Sequence, residues 1–152
     1  MTTIHAFDPG ETTGYAILEA VQDALHVTEL RELRIERLDS FYEIQKSLGP
    51  SDIFVIEDFR LYPGKAASLS WNSMPAVKVI GMLEYIAYLR SILVIKQMAS
   101  MIATLKDADV LKRVNLNEEV QWPKSPHMKD ALKHGVCYWL RFIRSSKVAS
   151  SS

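Results

Sequence analysis

The spacing of apolar and polar residues predicts five β-strands. The first two are rich in alternating, β-branched and aromatic positions, and the first ends at the turn signal Asp8-Pro9-Gly10. The last two are short, nearly continuous apolar runs, which are typical of strands buried on both faces of a sheet. The strands are predicted at residues 3–7, 12–18, 24–35, 52–56 and 91–95.

Apolar residues at helical spacing predict helices between and after these strands. The first helix stops at Gly49-Pro50, and Pro75 lies near the first turn of the second. Helices are predicted at residues 38–48, 74–89 and 127–144, with one or two short helices within residues 99–114 and loops at residues 60–70 and 115–126. We expect residues 1–145 to form one domain and residues 146–152 to be a flexible tail.

The order of these elements predicts an α/β fold. Three consecutive strands favour an antiparallel meander, and the strand–helix–strand units that follow favour parallel neighbours with right-handed crossovers. A mixed five-stranded sheet flanked by helices follows from this order.

Length and composition favour a soluble, single-domain protein. A chain of 152 residues buries a sufficient core without disulfides, and its one cysteine, Cys137, cannot form an internal one. No apolar run approaches the roughly 20 residues needed to cross a bilayer, and the N-terminus shows no secretory signal. We therefore expect a cytoplasmic protein with no membrane partner.

The net charge is zero, but the charges are unevenly distributed along the chain. Residues 1–60 hold 12 acidic and 5 basic residues, whereas residues 61–152 hold 6 acidic and 13 basic ones. This asymmetry fits an acidic metal site within a basic, nucleic-acid-binding frame. Two solvated faces of opposite sign are the alternative interpretation, and charge alone favours that alternative.

Three carboxylates occupy positions where chemistry is expected. Asp8 follows the first strand, and Glu57 ends a buried strand, where an unpaired carboxylate would be costly. Asp58 follows Glu57, and because consecutive strand residues point to opposite faces, at most one of the two should face Asp8. The structural alternatives are that Asp8 is a turn residue and that Glu57 marks the point where its strand reaches water.

The third carboxylate, Asp130, lies near the start of the last helix with two histidines. His127, Asp130 and His134 are spaced by three and four residues, so they share one helical face. The structural alternatives are a helix-start residue for His127, favourable dipole interaction for Asp130 and a packed or half-exposed side chain for His134.

Together these carboxylates fit a divalent-metal site. Mg²⁺ prefers a few carboxylates, water and phosphate oxygens, and paired ions of this kind hydrolyse phosphodiesters. The sequence has neither a G-x-x-x-x-G-K-[ST] phosphate loop nor a G-x-S-x-G nucleophile elbow. Cys137 lies within an apolar stretch and is interpreted as a core residue.

Three motifs resemble the RuvC-like Holliday junction resolvases. The opening stretch from Ile4 to Gly14, with Asp8-Pro-Gly, is similar to their first strand and turn. Val55-Ile-Glu57 resembles their fourth strand, and His127-Met-Lys-Asp130-Ala-Leu resembles their last helix. The resemblance extends, in order and spacing, over residues 3–144. The small size and divergence resemble a phage-encoded or otherwise stray member, which implies a bacterial or phage-infected host cell.

The resemblance implies an RNase H-like fold and a Mg²⁺-dependent crossover junction endodeoxyribonuclease, with Mn²⁺ as a substitute ion. It implies that Asp8, Glu57 and Asp130 are metal ligands and catalytic residues. It makes His127 a fourth ligand or a proton-transfer residue. The implied partners are branched DNA, chiefly four-way junctions, and a second copy of the chain in a homodimer.

The basic part of the chain and the loop after Glu57 supply candidate DNA contacts. Two aromatic residues there can stack on an unpaired base, and the basic residues can bind phosphates. The candidates are Phe59, Tyr62, Lys65, Lys78, Lys106, Lys112, Arg113, Lys129 and Lys133.

Other functions are compatible with the same residues. One is an RNase H-like nuclease that cuts other DNA or RNA–DNA structures, and another is a catalytically silent DNA-binding protein. An ATP-binding protein of the actin and sugar-kinase type is disfavoured, because that architecture requires a second phosphate-binding domain. A silent binder has no need for three carboxylates in one site.

Overall fold

A computed structural model describes residues 1–60 and 74–151. Its strands form one six-stranded sheet: β1 (Thr2–Asp8), β2 (Thr12–Val21), β3 (Ala24–Arg34), β4 (Ile53–Glu57), β5 (Leu93–Gln97) and β6 (Val114–Leu116). The strand order across the sheet is β5-β4-β1-β2-β3-β6.

The sheet is mixed, as the sequence predicts. β1, β2 and β3 form the antiparallel meander, β4 pairs with β1 in parallel, and β5 pairs with β4 in parallel. The predicted α/β architecture is confirmed, with one strand more than expected. β6 lies across the boundary between the predicted helical region and the loop that follows it, and it pairs in parallel with β3. Three residues are too few to show the alternation typical of a strand. β6 is therefore a strand because it pairs with the edge of β3 and not because of its own sequence pattern.

Within residues 1–60 and 74–151, five α-helices accompany the sheet: α1 (Leu38–Ser47), α2 (Pro75–Arg90), α3 (Asp107–Leu111), α4 (Pro126–Tyr138) and α5 (Ser145–Ser150). The predicted helix at residues 127–144 is therefore two segments, because Trp139–Arg144 forms a π-helix after α4. α4 begins at an N-cap serine, Ser125, whose hydroxyl accepts a hydrogen bond from the Met128 N–H at 3.5 Å. No helix in the described residues is both long and apolar enough to span a membrane.

The helices cover both faces of the sheet. Alternation along β1 turns Ala6 towards α4, where it shares a buried cluster with Leu132. Phe7, its neighbour in sequence, faces the opposite side and shares a second cluster with Phe41 of α1 and Leu83 of α2. Residues at even positions of β1, including Asp8, therefore face α4.

The packing of α4 against the sheet is unusually close at Gly135. A Cβ atom at this position would lie 2.5 Å from Leu18 Cδ1 and 3.3 Å from Ala6 Cβ. The absence of a side chain lets the helix lie directly on β1 and β2. Glycine within a helix costs about 1 kcal/mol relative to alanine, so close packing has to offset this cost.

We expect Gly135→Ala to destabilise the protein. Overpacking costs about 1–3 kcal/mol, which should exceed the gain of about 1 kcal/mol in helix propensity. Gly81→Ala in α2 is the matched control, because no described atom lies within 4 Å of its added Cβ. That variant should gain about 0.5–1 kcal/mol. Urea denaturation measures both, and equal stability of the two variants would contradict this account of the packing.

Candidate metal centre

Three polar side chains end three adjacent parallel strands. Asp8 ends β1, Glu57 ends β4 and Gln97 ends β5. Glu57 pairs with Gln97 in the sheet, and the residues before Asp8 and Glu57, Phe7 and Ile56, pair with each other. All three side chains therefore lie side by side at one edge, on the face that α4 covers.

The start of α4 brings a second set of polar residues to this edge. His127, Asp130 and His134 form one stripe along the helix. Gly14 permits their approach, because a Cβ there would lie 1.9 Å from the backbone oxygen of His127. Gly14 is also the partner of Asp8 in the antiparallel ladder, so this contact places the helix start beside Asp8.

Hydrogen bonds join the helix stripe to the strand ends. His127 Nδ1 bonds to Asp8 Oδ2 at 3.1 Å, and the Asp8 side chain is only 13% exposed. His134 Nε2 bonds to Glu57 Oε2 at 2.8 Å. The other ring nitrogen of His134, Nδ1, lies 2.8 Å from Oε1 of Gln97. Each strand-end carboxylate is therefore paired with one histidine of α4.

The carboxylates also repel one another. Burial raises the pKa of Asp8 to about 6, and the negative charges of Glu57 and Asp130 contribute to that increase, while the bond from His127 opposes it. Burial likewise raises the pKa of Asp130, with a further contribution from Glu57, while Lys133 opposes it. Because Glu57 and Asp130 both affect the ionisation of Asp8, and Glu57 also affects that of Asp130, the three groups lie within one electrostatic site.

The donor set fits a hard divalent cation, although the side chains do not yet surround one position. Three carboxylates and an imidazole are suitable ligands for Mg²⁺ or Mn²⁺, and a cation would relieve the repulsion that raises the pKa of Asp8. No group of three or more His, Cys, Asp or Glu side chains among residues 1–60 and 74–151 is arranged to hold a metal ion. Asp8 and Glu57 are instead hydrogen-bonded to His127 and His134, each through one carboxylate oxygen.

Comparison of the fold with solved structures gives a consistent result. Thermus thermophilus RuvC is similar over 95% of this chain and 96% of its own, with 12% identity and a TM-score of 0.71. The yeast mitochondrial Holliday junction resolvase Ydc2 matches over 95% and 80%, with 10% identity and a TM-score of 0.61. The fowlpox virus resolvase in complex with Holliday junction DNA matches over 89% and 97%, with 14% identity and a TM-score of 0.55.

The chain has the RuvC-type, RNase H-like fold. The fold expected from the sequence resemblance is thus confirmed. No protein-family model matches this chain, and no curated protein matches it.

Basic residues lie beside the carboxylates of this RuvC-type fold. Lys129 and Lys133 of α4 bind Asp107 of α3, with Nζ–Oδ distances of 3.0 and 3.2 Å. Lys133 is also close enough to Asp130 to affect its pKa. The position of this pair fits phosphate contact at the rim of the site.

The other predicted DNA contacts are more scattered. Phe59 is 36% exposed and follows β4 directly after Asp58. Tyr62 and Lys65 lie outside the described residues. The remaining candidates have exposed side chains in α2 and around α3: Lys78, Lys106, Lys112 and Arg113.

The RuvC-type fold reveals two site residues to which the sequence interpretation assigned no function. His134 is completely buried, as a packed histidine would be, but it also bonds to Glu57. Gln97 is buried at the end of β5, two residues beyond the predicted end of that strand. The sequence signal for Gln97 was its position as a polar residue at the end of a strand that runs parallel to β4.

We expect Asp8→Asn to stabilise the metal-free protein at neutral pH. The pKa of Asp8 is about 6 in the folded protein, above its ordinary value of 3.8, so its ionisation opposes folding. This penalty is fully present above pH 6 and disappears as the pH falls to about 4. The difference of about two units corresponds to roughly 1–3 kcal/mol, or an increase in Tm of about 3–8 °C.

Thermal melts in EDTA at pH 7.5 and pH 4 test this expectation. Asp39→Asn is the control, because Arg37 lowers the pKa of that exposed carboxyl and its charge does not oppose folding. A lower Tm for Asp8→Asn than for the wild type at pH 7.5 would show that Asp8 is not under charge repulsion.

Proposed function

We propose that this protein is a divalent-metal-dependent endonuclease that cuts branched DNA, with the four-way junction as its main substrate. The observation that carries the proposal is the convergence of Asp8, Glu57 and Asp130 at one edge of a RuvC-type sheet. Thermus thermophilus RuvC and the fowlpox resolvase, which share this fold, have both been solved with junction DNA. A crossover junction endodeoxyribonuclease is the activity that fits both observations.

The three carboxylates have the role of holding the metal. Bound Mg²⁺, or Mn²⁺ in its place, supplies an activated water and stabilises the leaving oxygen in phosphodiester hydrolysis. Asp8 and Glu57 are placed by adjacent strands of the rigid sheet, and Asp130 is placed by the first turns of α4. Rigid elements on both sides fix the relative positions of the ligands.

His127 is a fourth ligand or a proton-transfer group in this proposal. Its Nδ1 lies 3.1 Å from Asp8, and its side chain is 47% exposed, so its imidazole faces the open side of the site. The unperturbed pKa of histidine lies near neutrality, which suits proton transfer. Its nitrogen also suits Mn²⁺ as a ligand.

DNA binding in this proposal uses the basic rim and the aromatic residues after β4. Lys129 and Lys133 neutralise phosphates next to the carboxylates, and Phe59 stacks on an unpaired base near the branch point. Tyr62, Lys65, Lys78, Lys106, Lys112 and Arg113 extend this surface. The first two are proposed on sequence alone.

A homodimer completes the proposal, because one site per chain cannot cut two strands in a single encounter. The solvent-facing side of α2 carries exposed apolar side chains, including Tyr85, Tyr88 and Leu89. Its opposite side, with Val79 and Leu83, is buried on the sheet. An apolar outer side on a packed helix is typical of an interface with a second chain.

We expect Asp8→Asn, Glu57→Gln and Asp130→Asn each to abolish cleavage while DNA binding persists. Each removes one metal-binding charge and leaves the basic rim unchanged. Asp58→Asn is the matched control, because Asp58 follows Glu57 but does not contribute to the raised pKa of Asp8 or Asp130. It should cleave at close to the wild-type rate.

A labelled panel of four-way junction, Y-fork, linear duplex and RNA–DNA hybrid, with Mg²⁺ or with EDTA, provides the measurement. Cleavage of the junction in Mg²⁺ and its loss in EDTA would support the proposal. The absence of cleavage of every substrate would contradict the enzyme. Preference for the hybrid would favour the alternative RNase H-like nuclease.

We expect the double substitution Tyr85→Glu/Tyr88→Glu to convert the dimer into a monomer. Two charges in the centre of an apolar interface would be buried without partners, at a cost of several kcal/mol. Tyr42→Glu on α1 is the control, because Tyr42 is a similarly exposed tyrosine on a different helix. Light scattering gives the mass, and a monomeric wild type would refute the assembly.

A further inference from the structure

Behind Glu57 lies a buried hydrogen-bonded network, of which the proposed mechanism uses only Glu57 itself. Its members are Gln97 at the end of β5, His134 on α4 and Glu57 at the end of β4. His134 has no exposed surface, and Gln97 is 1% exposed. Such groups are costly to bury, so their presence next to a candidate metal ligand calls for an explanation.

The geometry of this hydrogen-bonded network fixes the orientation of Glu57. His134 Nε2–H donates to Glu57 Oε2 at 2.8 Å, and the end of the Gln97 amide lies 2.8 Å from the opposite ring nitrogen, Nδ1, which accepts from the amide N–H when the amide is in its flipped orientation. The ring is therefore held at both ends and cannot turn without breaking a bond. Glu57 has three rotatable bonds, so a fixed donor on one of its oxygens removes much of its freedom.

The arrangement also leaves Glu57 able to act as a ligand. Each carboxylate oxygen accepts bonds independently, so a donor on Oε2 leaves Oε1 as a ligand atom. The Glu57 side chain is 23% exposed, whereas the histidine behind it is completely buried. Hydrogen bonds behind a metal ligand orient it and tune its affinity.

We infer that His134 and Gln97 are positioning residues that hold Glu57 for divalent-metal binding. This inference rests on the proposed metal site and goes beyond it. His134 orients the carboxylate, and Gln97 orients His134. Neither side chain contacts the metal or the DNA.

A purely structural role is the competing explanation, in which His134 only fastens α4 to the sheet. The protein contains a matched residue for this comparison. His5 is also buried and also bonds to a carboxylate, Asp52, at 3.1 Å, with its other nitrogen 2.7 Å from the hydroxyl of Tyr15. It lies on the opposite face of the sheet from Glu57. Loss of either histidine should destabilise the fold, but only loss of His134 should affect metal binding.

The test is Mn²⁺ binding followed by the electron paramagnetic resonance signal of the free ion, with thermal melts in parallel. We expect His134→Leu to raise the Mn²⁺ Kd by about 10–100-fold and Gln97→Leu to raise it by a smaller factor. His134→Gln keeps an amide donor for Glu57 and should recover part of the affinity. His5→Leu should bind Mn²⁺ as the wild type does, even if its Tm falls.

The results distinguish failure of the positioning role from failure of the proposed metal site. Unchanged Mn²⁺ affinity in His134→Leu, or an equal loss in His5→Leu, overturns the positioning role. If His134→Leu does not fold, His134→Gln and Gln97→Leu decide: wild-type affinity in both overturns the inference, and weakened affinity in Gln97→Leu supports it. Failure of the proposed metal site itself would be distinguishable, because wild type and Glu57→Gln would then bind Mn²⁺ equally or not at all.

Discussion

The close approach of α4 to the sheet is the constraint on which the candidate site depends. Two glycines make this approach sterically allowed: Gly14 under the start of the helix and Gly135 near its end. A side chain at either position would overlap the facing element. A displacement of about 1 Å would separate the polar stripe of α4 from the strand ends, because hydrogen bonds of 2.8–3.1 Å tolerate little stretching.

The same contact brings like charges together. Asp8, Glu57 and Asp130 are held in a partly buried region, where their repulsion is stronger than in water. Two histidines offset some of this by bonding to Asp8 and Glu57, and Lys133 opposes it at Asp130. The raised pKa values of Asp8 and Asp130 mean that ionisation of these two carboxyl groups opposes folding.

The sequence predicts the fold well where a pattern is long enough to have a period. The antiparallel meander, α1 and α2 all follow from alternation, helical spacing and turn residues. β6 does not, because three residues acquire their conformation from the edge of β3. The break after Tyr138 does not follow either, because a π-helix and an α-helix have similar apolar spacing over so few residues.

The candidate site shows the same limit. Asp8, Glu57 and Asp130 are identifiable because a carboxylate at the end of an apolar strand or at a helix start is unusual in itself. Gln97 and His134 carry weaker signals: Gln97 lies beyond the predicted end of its strand, and His134, which shares a helical face with Asp130, is also typical of a packed histidine. Their importance follows from the register of β5 against β4 and from the rotation of α4. These place Gln97 and His134 in one hydrogen-bonded network with Glu57, and the sequence pattern does not show that network.

The long separation of the paired residues has a consequence for synthesis of the protein. The bond between Asp8 and His127 closes over 119 residues, and that between Glu57 and His134 over 77. A chain emerging from the ribosome exposes β1 and β4 well before α4 has been made. An incomplete chain thus holds two of the three carboxylates and lacks the helix that supplies the third, so a product truncated before α4 cannot assemble the site.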